Sequence, residues 1–78
     1  MDMDEEIEMF QNKVISMGRN GYETDEIVKL LSEEWGDGEI AKSRRLEDFV
    51  EIVASMVRKD YPKELILDAS KLYMYKSE

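Results

Sequence analysis

Cysteine and histidine are both missing from the 78 residues of this chain. Without cysteine there is no disulfide framework and no thiolate metal site. Without histidine the usual zinc sites and the Ser-His-Asp and Cys-His nucleophile arrangements are excluded. There is one proline and no apolar run of membrane-spanning length. The N-terminal "MDMDEEIE" is acidic where a signal peptide would be basic and then apolar. A soluble, cytoplasmic protein is the expectation, with no cofactor and no metal. A chain this short makes one domain, residues 1–78, and nearly all of its apolar side chains are needed for a single core. Little remains for a deep catalytic cleft, and no acid–base or nucleophile constellation can be assembled, so an enzyme is not expected.

The formal net charge is -8. All of that excess lies before Glu39, and from Glu39 onward the two signs balance. A nucleic acid would be repelled by the first half, although binding depends on the face presented and not on the total. Three of the 11 basic residues, Lys42, Arg44 and Arg45, gather within "WGDGEIAKSRR", directly after two glycines.

Helical spacing runs nearly throughout and strand-like alternation does not. Met3, Ile7, Phe10, Val14 and Met17 form one stripe, and the early carboxylates suit the positive end of a helix dipole. "MGRNG" closes that helix, and Thr24 is a natural N-cap for a second one carrying Ile27, Leu30, Leu31 and Trp35 inward. Gly36 and Gly38 break it. Leu46, Phe49, Val50, Val53, Met56 and Val57 gather on one face of a third helix, with Glu47, Asp48, Glu51 and Arg58 opposite. In that register Lys42 falls on the apolar side, so the third helix starts near Ser43 or a separate turn spans Glu39 to Lys42. Asp60-Tyr61-Pro62 ends it. A fourth helix from about Lys63 to Tyr75 puts Leu65, Ile66, Ala69, Leu72 and Tyr73 toward the core. No internal repeat, low-complexity tract or flexible linker stands out. The fold class is all-α, a compact four-helix domain with a helix-turn-helix-like core and a core built around Phe10, Ile27, Leu31, Leu46, Phe49, Val53 and Leu65.

Sites for chemistry are few. A calcium loop centred on Gly38 would need Trp35 and Arg44 as ligands, which fails. The segment "RNGYETDEIVKLLSEEWG", through Gly21, Tyr22, Thr24, Glu26, Ile27, Leu30 and Leu31, resembles the opening of helix-turn-helix domains in resolvase-like and homeodomain-like bacterial and archaeal DNA-binding proteins. The likeness covers residues 19–46. It implies that Lys42, Ser43, Arg44 and Arg45 stand on a recognition helix facing double-stranded DNA, where they would meet phosphates or guanine edges. The plainer reading of the same residues is a good helix stop, a good N-cap and solvated cations.

On the fourth helix, Leu67, Ser70, Met74 and Tyr75 make a second stripe opposite the expected core side, an expected seam for a homodimer. Two functions follow. One is a small DNA-binding transcriptional regulator, dimeric through its C-terminal helix. The alternative is a helical protein–protein interaction module, an adaptor or inhibitor, that does not touch DNA.

Overall fold

The computed structural model describes residues 3–36, 38 and 45–76, with the side chains of Met3, Trp35 and Lys76 left aside. Four helices follow in order: α1 (Met3–Arg19), α2 (Thr24–Trp35), α3 (Leu46–Arg58) and α4 (Lys63–Lys76). The all-α, four-helix expectation is met.

α1 and α3 pack against each other at the centre. α2 and α4 each touch both central helices, but among the described residues not one another. Phe10, Phe49, Ile7, Ile27, Leu31, Ile66, Val14, Val50 and Val53 fill the interior. Of the seven residues expected to build the core, six are buried. Leu65 is the exception, at 51% exposure.

The two helix ends that turn the chain are built alike. After α1, the Tyr22 N–H donates to the Met17 carbonyl at 3.1 Å and the Gly21 N–H to the Gly18 carbonyl at 3.1 Å. After α3, the Tyr61 N–H donates to the Met56 carbonyl at 3.1 Å and the Asp60 N–H to the Val57 carbonyl at 3.0 Å. Both are Schellman caps, which satisfy the last carbonyls through one residue of left-handed backbone. That residue is Gly21 (φ 87°) in the first turn and Asp60 (φ 62°) in the second.

This likeness extends along both hairpins and corrects the expectation of no internal repeat. At one constant shift Phe10 pairs with Phe49, Val14 with Val53, Ser16 with Ser55, Met17 with Met56, Arg19 with Arg58, Tyr22 with Tyr61 and Ile27 with Ile66. The ends of α1 and α3 and the starts of α2 and α4 fall on the same shift. So does burial: Ile7 and Leu46, Gln11 and Val50, Ile15 and Ala54, and Leu31 and Ser70 are buried in pairs. The same helix pairs touch when α1 is exchanged for α3 and α2 for α4, although α3 packs more extensively than α1 on the two outer helices. The repeat hides in sequence because several paired positions hold a polar residue in one hairpin and an apolar one in the other.

Local details differ from the sequence reading. The N-cap of α2 is Glu23, not Thr24. Its backbone N–H donates to the Glu26 carboxylate at 3.3 Å, half of a capping box, which satisfies an N–H preceding the helix. Thr24 begins the helix, and its hydroxyl accepts from Arg58 Nη2 at 3.4 Å, joining the start of α2 to the end of α3. Leu30, expected inward, is exposed.

The largest correction concerns α4. Ile66, Ser70 and Met74 are buried and Leu67 and Tyr73 pack against the core, whereas Leu65, Ala69 and Leu72 face out. Ile66 and Tyr73 lie inward as expected, but Leu65, Ala69 and Leu72 have changed places with Leu67, Ser70 and Met74. The reason is a polar bond inside the protein. Gln11 Nε2 on α1 donates to Ser70 Oγ and to the Leu67 carbonyl, each at 2.8 Å. The Ser70 hydroxyl itself donates to the Ile66 carbonyl at 2.7 Å. Buried polar groups are tolerated when so bonded, and a helical wheel that counts serine as outward turns the helix the wrong way.

Candidate interaction site

Where α4 lies along α3, a groove of about 450 Å³ opens, lined by Asp48, Glu51, Ile52, Ser55, Met56 and Tyr73. The α3 residues reach it because the buried face of that helix is centred on Phe49, Val50 and Val53. Ile52, Ser55 and Met56 then stand at its margin, half-buried, and Asp48 and Glu51 beyond it, exposed. The floor is therefore apolar and its rim carries carboxylates. On the far wall the Tyr73 hydroxyl donates to Asp48 Oδ2 at 3.3 Å. Partial burial raises the pKa of that phenol above its usual 10.0, as do the repulsion between the Asp48 carboxylate and a phenolate and the hydrogen bond itself, with Arg45 acting the other way.

The paired positions of the first hairpin are filled differently. Ile52 corresponds to Lys13 and Tyr73 to Glu34, and those two form an ion pair at 3.3 Å across α1 and α2. Asp48 and Glu51 correspond to Met9 and Asn12. The outward stripe of α4, Leu65, Ala69 and Leu72, corresponds to Glu26, Leu30 and Glu33 on α2. One architecture thus carries a polar clasp in its first half and an apolar groove beside exposed leucines in its second.

Comparison with known protein families, with curated proteins and with solved structures finds no match.

Of the residues expected to meet DNA, Lys42, Ser43 and Arg44 lie outside the described residues. Arg45 is the half-buried N-cap of α3. The solvent side of the helix it opens presents Glu47, Asp48 and Glu51. Of the residues expected in a dimer seam, Ser70 and Met74 are enclosed within the chain, Leu67 is half-buried against the core, and Tyr75 is exposed. Sequence reasoning missed Ile52 and the groove around it. The available signal was the internal repeat, which sets Ile52 against Lys13. Among the described residues no group of acidic side chains could hold a metal ion, and no helix is long and apolar enough to cross a membrane.

Proposed function

We propose that this protein is a helical protein–protein interaction module, with α3 and α4 as the binding half. The observation that carries this reading is the contrast between the two hairpins. Lys13, Glu26, Glu33 and Glu34 on α1 and α2 give way to Ile52, Leu65, Leu72 and Tyr73 on α3 and α4, while the pattern of burial in the core is shared. Core packing does not require that difference. Leu72 at 61% exposure and Leu65 at 51% cost solubility unless a partner covers them.

A DNA-reading role places α3 or its approach in the major groove. Three exposed carboxylates on α3 count against it, because phosphates repel them and carboxylates accept rather than donate hydrogen bonds. The test is fluorescence anisotropy of a labelled mixed-sequence duplex titrated with the full chain at about 50 mM salt, where phosphate contacts are strong. No saturable binding is expected. Binding that weakens steeply with salt and is lost in the Arg44→Ala/Arg45→Ala variant overturns the reading in favour of the DNA-binding regulator.

A further inference from the structure

We infer that the groove between α3 and α4 holds an amphipathic helix of a partner protein, apolar along one stripe and flanked by lysine or arginine. This rests on the interaction-module reading and adds the site and the chemistry of its occupant.

Ile52, Met56 and the ring of Tyr73 give an apolar floor, and Asp48 and Glu51 stand exposed above it. An extended cationic chain would satisfy the rim but leave the floor wet, and a wholly apolar helix would strip water from the carboxylates without replacing it. A helix with leucine-type anchors every three or four residues and cations beside them answers both. The α3 side of the groove runs from Asp48 to Met56, about 12 Å at 1.5 Å per residue, so about two turns of a partner can lie in it. By helical angle Tyr73 stands between the core face of α4 and its outward Leu65, Ala69 and Leu72, so the apolar surface continues from the groove onto the outside of α4.

Charge selects among occupants. A second copy of this chain would bring another net charge of -8 and, about a two-fold axis, the same Asp48 and Glu51 against themselves. A basic partner gains from the same field.

The first hairpin supplies the control. Lys13 occupies the position of Ile52 in the same architecture, so Ile52→Lys should fold. The experiment is selection of helical peptides from a random display library on the immobilised full chain, followed by affinity measurement of the winners. The expected winners carry an apolar stripe flanked by Lys or Arg. Their affinity should fall at least about thirtyfold on Ile52→Lys with its circular dichroism spectrum and melting unchanged, a hot-spot-sized effect. It should also fall on Asp48→Asn/Glu51→Gln, with a shallower salt dependence. Winners that bind both variants as tightly as the parent overturn the groove and leave the interaction-module reading standing. Acidic winners, or none above background, overturn the groove as well. If the parent sediments as a dimer that Ile52→Lys dissociates, the occupant is a second copy and the inference fails. Saturable duplex binding in the anisotropy assay removes the underlying reading.

Discussion

Gln11 and Ser70 meet inside the protein, amide nitrogen to hydroxyl at 2.8 Å, at positions whose counterparts in the repeat are Val50 and Leu31. One half of the core thus uses a hydrogen bond where the other uses aliphatic side chains, and all four residues are buried. Ser70→Ala leaves a Gln11 N–H without its acceptor and should destabilise by about 1–3 kcal/mol. Grafting the other half's pair, Gln11→Val with Ser70→Leu, should be milder than the sum of its single changes, because it removes both polar groups together. Urea denaturation of the four proteins measures the coupling, and strict additivity would show that the pair does not act as a unit.

The second Schellman turn carries a residue ill-suited to it. Asp60 holds φ 62° where Gly21 serves in the first turn, and it places a carboxylate at the negative end of α3. Asp60→Gly should stabilise the protein by about 1 kcal/mol, relief of left-handed strain and of charge together outweighing the extra freedom of the unfolded chain. Asp60→Ala keeps the strain and should not stabilise comparably. Thermal melts of both variants decide it, and a glycine variant less stable than its parent contradicts the assignment.

The bond from Tyr73 to Asp48 has a pH signature. A phenol whose folded pKa is raised above 10.0 contributes stability that is complete below the unfolded value and is lost as pH rises through the folded one. Asp48→Asn removes the repulsion and the charged acceptor, so Tyr73 should ionise at lower pH than in the parent. A titration of the Tyr73 ring by NMR in both proteins reads this directly. An unchanged or higher midpoint in the variant would mean that Asp48 does not govern the phenol.

Sequence periodicity was enough for the helices, because each amphipathic stripe is long and each break has a chemical marker. Phe10, Ile27 and Phe49 were legible as core for that reason. On α4 only Ile66 and Tyr73 were, since that helix is apolar on two sides and the choice between them depends on Gln11, a residue of another helix. The groove was illegible for a related reason. Ile52 looks like any aliphatic residue near a core margin until it is set against Lys13, and that comparison needs the superposed hairpins. The basic cluster stood out in sequence, yet of its members only Arg45 falls among the described residues.

The central claim is that the α3–α4 hairpin is the binding half. The most direct measurement is the amide chemical-shift map of the ¹⁵N-labelled full chain titrated with a peptide selected as above. The account predicts shifts concentrated on Asp48, Glu51, Ile52, Ser55, Met56 and Tyr73, continuing to Ala69 and Leu72, with α1 and α2 little changed. Shifts centred instead on α1 and α2, or confined to the stretch leading into Arg45, would contradict it.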